Sequence, residues 1–336
     1  MKRRTFLAAL AATSAGPVLL RSPKTDTGNA RIITLAGAGP EGRWFQEVSL
    51  FGKILTEKVP GVIVNGVLGK GTSVGNVKRI AGLNVEGGRA YVFDLENAHA
   101  NRDQFATGDY RDVLVWMKLG THLFRVVAER DIRRFSDLKG RSVAIGVRGA
   151  GDDLLAMRIL SGYGIDESNT RFQFVGRSDG QAALANGQID AIAYAYARNN
   201  QGHLGPIFAA RRLGEDVDFV IPDDDRNQAF LDTNPTFFLD TYGEPGFGRP
   251  DLKGIAFYQG MAIHRSIPED LVYRMTRAIY ENWDEVRAST PWWNAPGEAS
   301  LESAPAITTL PYHPGAIRYF EETGVWSRYH SGESRP

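Results

Sequence analysis

The chain has 336 residues, of which 43% are hydrophobic, and this length favours two domains over one. Its 39 basic and 39 acidic side chains balance and form no block of like charge, which argues against nucleic acid or an anionic membrane as a partner. The sequence has no cysteine, so disulfides, thiolate metal sites and thiol nucleophiles are excluded.

The first 28 residues have the layout of a bacterial export signal followed by a linker. Lys2, Arg3 and Arg4 precede a mildly apolar stretch over residues 6–20, which is too short to remain as a membrane span. The segment RRTFL resembles a twin-arginine signal, and the small residues of ATSAG indicate cleavage near residue 15. The alternative is a basic amphipathic helix at an ordinary N-terminus. We expect an exported, periplasmic protein.

Beyond residue 30, short β-type runs alternate with amphipathic helical segments, which predicts parallel β-α-β units. The first units are predicted as strands at 31–37, 62–68, 90–95, 112–119 and 122–129, with helices at 43–58 and 73–83. After a crossover near residues 125–135 the pattern restarts, with strands at 142–147, 171–176 and 190–196 and helices at 151–163 and 178–186. The chain therefore reads as two α/β halves.

The C-terminal part adds a strand and two helices to this pattern. The strand is predicted at 255–264, and the capping box Ser266–Glu269 predicts the start of a long helix after it. The last helix is expected to begin at a proline and to end at Gly324. We assign residues 29–127 and about 235–336 to lobe I, and residues 128–234 to lobe II.

The segment AGAGPEGRWF contains Gly37, Gly39 and Gly42 in the spacing of a dinucleotide-binding turn. In a dinucleotide fold, an acidic residue at the end of the second strand holds the ribose hydroxyls. Here no acid lies between Glu57 and Glu86, so this residue is missing. We therefore predict that the chain binds neither NAD nor FAD and needs no cofactor.

Three glycine turns each precede a predicted helix: GAGPEGRW, GKGTSVGN and GVRGAGDD. The unpaired N–H groups of a first helical turn favour an anion, and Arg43, Lys70 and Arg148 lie in or just after these turns. If the two halves form a cleft, the turns face each other and suit a small carboxylate. The alternative is that the glycines only shape tight α/β turns.

Two groups of polar residues near these turns allow both a structural and a functional interpretation. Thr72 and Ser73 open the second helix, where either side chain can cap the helix or bond a ligand. The pattern D-x-E-x-x-H at Asp94, Glu96 and His99 could ligate a metal, because Glu96 and His99 lie one helical turn apart. We favour helix capping and hydrogen bonding here, and predict no metal.

The strand at 190–196 ends in a third group of candidate residues. Tyr194, Tyr196 and Arg198 alternate along the strand, so they share one face. For Tyr194 and Tyr196, packing in the core is an alternative to ligand binding. Arg198 is a further candidate for gripping an acid with two parallel hydrogen bonds, which lysine cannot make.

Four further motifs, YVFDLENAHA, DLKG, NGQID and HPGA, occur in collinear order with the three glycine turns between residues 31 and 326. In this combination the chain resembles the TAXI group of solute-binding proteins of tripartite ATP-independent periplasmic (TRAP) transporters. The resemblance implies a type II periplasmic-binding-protein fold, two α/β lobes joined by crossing strands with the ligand cleft between them. It also implies a small carboxylated ligand such as glutamate or 2-oxoglutarate, delivery to a sodium-driven inner-membrane permease, and a place for Asn97 in the cleft.

The chain departs from the group in the turns that contact ligand. The first turn of the group commonly reads Gly-Gly-Thr-Tyr-Tyr, whereas here it is Glu41-Gly42-Arg43-Trp44-Phe45. Arg148 adds a further charge in the third turn. These changes suggest a ligand with two acidic groups, or a larger and flatter acid stacked on Trp44.

We therefore expect a monomeric binding protein with no catalytic residues, since neither a G-x-S-x-G elbow nor a P-loop occurs. Two alternatives stay open: a periplasmic enzyme acting on a carboxylated metabolite, and a ligand-sensing subunit of a membrane receptor. The candidate ligand-binding residues are Gly39, Arg43, Trp44, Thr72, Ser73, Asn97, Arg148, Gly149, Gly151, Tyr196 and Arg198.

Overall fold

The computed structural model of the protein describes residues 30–40, 42–149, 151–197, 204–241, 249, 251–293 and 299–330. The predicted export signal and the candidate residue Arg198 lie outside these ranges. No helix in the described ranges combines the length and the apolar character that crossing a bilayer requires.

Strands and helices alternate through most of the described chain. The strands are β1 Arg31–Ala36, β2 Val62–Val67, β3 Gly87–Tyr91, β4 Val113–Glu129, β5 Ser142–Ala144, β6 Arg171–Gln173, β7 Ala191–Ala197, β8 Val217–Val220, β9 Phe237–Thr241 and β10 Lys253–His264. The helices are α1 Arg43–Lys58, α2 Thr72–Ala81, α3 Val92–His99, α4 Asp152–Gly162, α5 Arg177–Ala185, α6 Gly205–Ala210, α7 Asp224–Thr233, α8 Glu269–Glu281, α9 Trp283–Ser289, α10 Pro314–Glu322 and α11 Ser327–His330.

The described strands form one mixed sheet, in the order β2-β1-β3-β10-β4-β7-β5-β6, with β8 paired to β4 and β9 to β10. Pairing is parallel at both ends of the sheet, where β1 joins β2 and β3, and β5 joins β6 and β7. The long strands β4 and β10 run antiparallel to each other in the middle. They therefore connect two parallel α/β halves.

Buried side chains form separate apolar cores on the two sides of the middle of β4 and β10. Val113 and Leu119 of β4 belong to the core of the first half, whereas Phe124 belongs to that of the second. Close to this point the strand register shifts at Gly260, which pairs with Lys118 and where a Cβ atom would lie only 2.4 Å from the Met117 carbonyl oxygen. The two cores thus meet where the backbones of β4 and β10 approach each other closely. The lobe boundaries expected at residues 127 and about 235 remain predictions.

The predicted fold class, α/β of the periplasmic-binding-protein type, is confirmed, and α1 has the bounds predicted for it. The third strand was predicted too late in the chain, because it ends at Tyr91 and α3 follows directly. It begins at Gly87 and Gly88, residues typical of turns. A Cβ atom at Gly88 would lie 2.7 Å from the Ala36 carbonyl oxygen, so glycine is needed for close strand pairing.

Two further predictions were wrong in detail. The strands predicted at 112–119 and 122–129 are the single strand β4, which continues through Gly120. The capping box at Ser266 does not form, because Pro268 is the residue before α8 and the Ser266 hydroxyl bonds the His264 imidazole, Oγ to Nδ1, at 2.8 Å. α10 begins at a proline, Pro314, as predicted, and Gly324 follows its end with a left-handed φ of 72°, but it is not the last helix, because α11 follows it.

Candidate functional site

A cavity of about 920 Å³ lies where helices of the two halves begin. α1, α2 and α3 line it from the first half, and α4 and α5 line it from the second. Because these helices follow the carboxyl ends of parallel strands, several helix N-termini are directed at one volume. This is the position at which α/β proteins bind ligands.

The two halves contact each other across the cavity. Arg158 of α4 donates from Nη1 to Asn97 Oδ1 of α3 at 2.9 Å, and from Nε to Asn234 Oδ1 at 2.8 Å. Gly151 and Thr72 also lie close together, since a Cβ atom at Gly151 would lie 3.5 Å from Thr72 Oγ1. Residues of both halves therefore approach each other at two places in the cavity lining.

Four aromatic side chains from the first half line the cavity, and we call them the aromatic wall: Trp44, Tyr91, Phe93 and Phe105. The rings of Trp44 and Tyr91 meet edge to face with centroids 4.9 Å apart, and Tyr91 stacks on Phe93 at 5.3 Å. Trp44 Nε1 donates to Gln259 Oε1 of β10 at 2.8 Å, which fixes the indole. The wall offers a rigid apolar surface to a ligand.

Arg177 places a guanidinium in the cavity at the first turn of α5. It donates to Asp152 Oδ2 at 2.7 Å and lies over the Tyr196 ring, 4.7 Å from its centroid. The aromatic ring and the carboxylate hold the guanidinium in place, so it is oriented before any ligand arrives.

Several arginines surround His122, and two of them, Arg43 and Arg177, line the cavity. His122, in the middle of β4, contacts the Tyr91 ring with centroids 5.5 Å apart. Burial holds the pKa of His122 well below its usual value. Four guanidinium groups lower it further, and we call them the arginine cluster: Arg89, Arg177, Arg43 and Arg125. His122 is therefore neutral at physiological pH, and the positive charge resides on the arginines.

Beneath Trp44 lies a buried ion pair. Arg89 Nε is 2.9 Å from Glu47 Oε2, and the two residues are 0% and 1% exposed. The Arg89 guanidinium lies 5.1 Å from the centroid of the Trp44 ring, and Trp292 Nε1 donates to Glu47 Oε1 at 2.9 Å. The ion pair thus packs against Trp44 of the aromatic wall.

Asp94 of α3 lines the cavity beside Ser73, whose hydroxyl accepts a hydrogen bond from the Tyr91 N–H at 2.8 Å. Burial raises the pKa of Asp94 to about 7, against the opposing effects of the Ser73 hydrogen bond and the Arg158 charge. A nearby Asp103 raises it further. This part of the cavity therefore disfavours additional negative charge.

The raised pKa of Asp94 predicts a pH-dependent effect of Asp94→Asn. The native state holds this proton to about pH 7 and the unfolded chain only to about pH 4, so ionising Asp94 lowers stability as pH rises between these values. Asn cannot ionise, so the variant does not lose this stability as pH rises. Its free energy of unfolding, relative to wild type, should increase by about 1 kcal/mol from pH 5 to pH 6 in urea titrations. Asp225→Asn, at an exposed carboxylate, is the matched control.

Thr72 begins α2 with a left-handed φ of 50°, which is strained for a β-branched residue. We expect Thr72→Gly to raise the free energy of unfolding by about 1 kcal/mol, because glycine adopts this φ without strain. Thr72→Ala keeps a Cβ atom and should bring no such gain. Equal stabilities of the two variants in urea titrations would contradict strain at this position.

The candidate residues fall into three groups. Those that line the cavity are Arg43, Trp44, Thr72, Ser73, Asn97 and Gly151. Those that the structure describes but that do not line it are Gly39, Arg148, Gly149 and Tyr196. Arg198 lies outside the described residues. Arg148 has a side chain 61% exposed, pairs with Glu167 at 2.8 Å and lies over the Phe174 ring.

The backbone N–H groups of the third glycine turn bind a carboxylate of the chain itself. The N–H groups of Gly149 and Gly151 donate to the two carboxylate oxygens of Asp153, at 2.7 and 3.1 Å, and Asp153 is buried. The chain therefore supplies the negative charge that the start of α4 favours. Arg177, one strand further along the chain, lines the cavity from this half together with Arg158.

The D-x-E-x-x-H pattern has structural contacts. Glu96 pairs with Arg102 and accepts a hydrogen bond from the Thr236 hydroxyl at 2.6 Å, whereas His99 Nε2 bonds the Val113 carbonyl oxygen at 2.8 Å. Within the part of the chain that the structure describes, no three His, Asp or Glu side chains are grouped to hold a metal ion.

The lining residues that the sequence did not predict include Tyr91, Asp94, Asp152, Arg158 and Arg177. Arg177 could have been predicted from the sequence. The segment FVGRSDG has the same pattern as the three glycine turns: a strand is followed by a glycine, a basic residue and a helix. Tyr91 was placed inside a strand, whereas it is the last strand residue and begins the turn into α3.

The sequence model of the NMT1-like family matches residues 35–324, which is most of the chain. The chain belongs to the NMT1-like family. Among solved structures, XAC2383 from Xanthomonas citri bound to ATP is similar to this NMT1-like protein, with a TM-score of 0.53 and 11% identity over 90% of this chain and 99% of that one. The two proteins therefore share a fold.

Two further solved structures are similar to the NMT1-like chain. MatC from Rhodopseudomonas palustris with bound malate has a TM-score of 0.49 and 15% identity, over 89% of this chain and 98% of that one. The periplasmic aliphatic sulphonate binding protein SsuA from Escherichia coli has a TM-score of 0.43 and 11% identity, over 78% and 77%.

Proposed function

We propose that this NMT1-like protein is an exported solute-binding protein that captures a small carboxylated solute in the cavity and delivers it to a TRAP-type permease. The observation that carries the proposal is the position of Arg177 in a cavity lined by both halves of the chain. A fixed guanidinium binds a carboxylate through charge-assisted hydrogen bonds, and Arg43 adds a second positive charge to the same cavity.

Solute release requires the two halves to separate. β4 and β10 are the strands that connect the cores, and Gly120 and Gly260 lie where the cores meet, so we place the hinge there. We retain residues 29–127 with 235–336 as lobe I and 128–234 as lobe II. Opening would break the hydrogen bond between Arg158 and Asn97 and expose the bound solute.

The cellular role rests on the sequence. The RRTFL segment and the apolar stretch after it support export by the twin-arginine route, and the collinear TAXI motifs support a TRAP permease as the partner. We propose a monomer that diffuses in the periplasm between solute and permease, without catalytic residues or a cofactor.

Mass spectrometry of small molecules that co-purify with the exported protein tests this proposal, followed by calorimetric titration with organic acids. We expect one acid to bind stoichiometrically and to be recovered unchanged. Conversion of the acid would contradict a binding function and favour the enzyme alternative. Failure of every carboxylate to bind, while neutral or cationic solutes do, would contradict the proposed solute class.

A further inference from the structure

The proposed function leaves the second functional group of the solute open, and the inference that follows rests on that function. We propose that the solute is an ω-amino acid, in which a chain or ring separates an ammonium group from the carboxylate. Asp94 of the first half would bind the ammonium group, and Arg177 of the second half would bind the carboxylate. The solute would then bridge the two halves.

The first support is the bonding of the three carboxylates that line the cavity: Asp94, Asp103 and Asp152. Asp152 accepts a hydrogen bond from Arg177 Nη2 at 2.7 Å. Asp103 accepts one from Asn97 Nδ2 at 2.9 Å. Asp94 differs, because within the described ranges of the chain no N–H group donates to its carboxylate. Of the three, Asp94 therefore has the most room for a donor from the solute.

Among the residues that the structure describes, Asp94 also has no ion-pair partner. It is 7% exposed, and the Ser73 hydroxyl is its hydrogen-bond partner. The positive charge of Arg158 acts on it from α4, but the Arg158 guanidinium donates to Asn97 and Asn234. A solute ammonium group would supply the charge and the donors together, through charge-assisted hydrogen bonds. A second solute carboxylate would instead meet like charge.

The second support is the aromatic wall beside Asp94. Phe93 precedes Asp94 in α3, and its ring stacks on the Tyr91 ring with centroids 5.3 Å apart. Both rings line the cavity. The face of an aromatic ring attracts a cation, and its apolar surface packs against methylene groups. The wall therefore suits an ammonium group at the end of an apolar spacer.

The third support is the separation of the two charged positions. Asp94 lies in α3 and Arg177 in α5, and within the described residues they form no ion pair with each other. Burial raises the pKa of the Tyr91 hydroxyl, the Arg177 charge opposes this rise and the Asp94 charge adds to it, so the phenol lies near both. Leu154 and Met157 line the cavity from the second half. An α-amino acid carries both charges on the same carbon, whereas a spacer lets each charge reach its own half.

Arg177 can bind a carboxylate although it is paired with Asp152. The pair uses its Nη2 atom, and a guanidinium has more donors than this bond requires. Arg177 and Arg43 are, moreover, the members of the arginine cluster that line the cavity. The carboxylate end of the solute therefore has its own binding position, distinct from Asp94.

Calorimetric titration of the purified full-length protein with three matched probes tests the proposal: 5-aminopentanoate, hexanoate and adipate. The probes share one methylene spacer and one carboxylate, and the opposite end is an ammonium, a methyl or a second carboxylate group, respectively. We expect 5-aminopentanoate to bind at least about 10-fold more tightly than either of the other two, because an ammonium group alone gains a charge-assisted hydrogen bond.

Asp94→Asn assigns this preference to one side chain. It should weaken 5-aminopentanoate binding about 10-fold and change hexanoate binding less than about 2-fold, because only the ammonium group contacts the carboxylate. Asp225→Asn, at an exposed carboxylate outside the cavity, should leave both affinities unchanged. Thermal unfolding checks that both variants are folded.

The charge of Asp94 provides a second readout. Burial raises the pKa of Asp94 to about 7, so about half of the protein holds this proton at pH 7. The groups that face Asp94 are Ser73, Arg158, Asp103 and the Tyr91 phenol. Binding of 5-aminopentanoate at pH 7, titrated in buffers of different ionisation enthalpy, should release about half a proton per site. Hexanoate should release none, and neither probe should release any from Asp94→Asn.

The possible failures separate this inference from the proposed function. Binding of hexanoate or adipate as tightly as 5-aminopentanoate would overturn the ω-amino-acid proposal and leave a carboxylate-binding protein. Binding of none of the three would overturn it as well, whereas the proposed function fails only if no organic acid binds. Equal affinities of Asp94→Asn and Asp225→Asn for 5-aminopentanoate would reject Asp94 as the ammonium site. The probe comparison on the wild-type protein decides the solute class even if Asp94→Asn fails to fold.

Discussion

Arg177→Gln is expected to weaken binding of the carboxylated solute on the order of 100-fold. Removing one partner of a buried, hydrogen-bonded charge pair costs about 2–5 kcal/mol, and each 1.4 kcal/mol is a tenfold change in Kd. The change also leaves Asp152 without its guanidinium partner in the cavity lining, where it would repel the incoming carboxylate. Calorimetric titration of the variant with the co-purified acid measures the loss directly.

Two matched substitutions control for the general loss of a positive charge. Arg102→Gln removes an arginine that lines the cavity but pairs with Glu96, and Arg148→Gln removes one that lies outside the cavity. Each should change Kd less than 3-fold. An unchanged Kd in Arg177→Gln, or a comparable loss in Arg148→Gln, would show that the carboxylate binds elsewhere.

Much of the fold could be predicted because hydrophobic periodicity is a local signal. α1 alternates apolar and polar residues at helical spacing between two glycine-containing turns, and both of its ends were predicted correctly. β4 was divided in two because Gly120 resembles a break. In the structure, Gly120 pairs with Gln259 of β10, and β7 pairs with β4 from His122 onward, so strand pairing outweighs the weak propensity of one glycine.

No prediction was made for the elements between residues 204 and 241, and the two strands among them are short. β8 and β9 have four and five residues and pair with distant strands, β4 and β10. A short strand is stabilised by its partner in the sheet, which pattern analysis along the chain does not include. The crossover of the halves near residues 125–135 remains a prediction, and the two apolar cores meet between Leu119 and Phe124.

The candidate site could be predicted in its location but not in its full set of side chains. Trp44, Thr72 and Gly151 line the cavity, because glycine turns before helices mark the carboxyl ends of strands. Arg148 and Arg177 look alike in the sequence, since each lies in a glycine turn before a helix. Their difference arises from contacts: Asp153 binds the amides of one turn, while Asp152 and Tyr196 hold Arg177.

Arg89→Met should destabilise the protein by about 3–5 kcal/mol, because it leaves Glu47 as an uncompensated charge in the core. Burial already raises the pKa of Glu47, and the Arg89 charge opposes this rise. Without Arg89, the native state should bind the Glu47 proton more tightly than the unfolded chain does. The loss of stability should therefore be larger at pH 8 than at pH 5, as measured by urea titration at both values.

The double variant Arg89→Met with Glu47→Leu separates the missing partner from the missing packing. Replacing both members of a buried ion pair by apolar residues is often close to neutral, so we expect recovery of more than half of the lost stability. The pH dependence of the stability loss should also disappear in the double variant, because no buried carboxylate remains at this position. A double variant as unstable as Arg89→Met would instead assign the effect to the hydrogen bond with Gln259 and the contact with Trp44, which the substitution removes in both proteins.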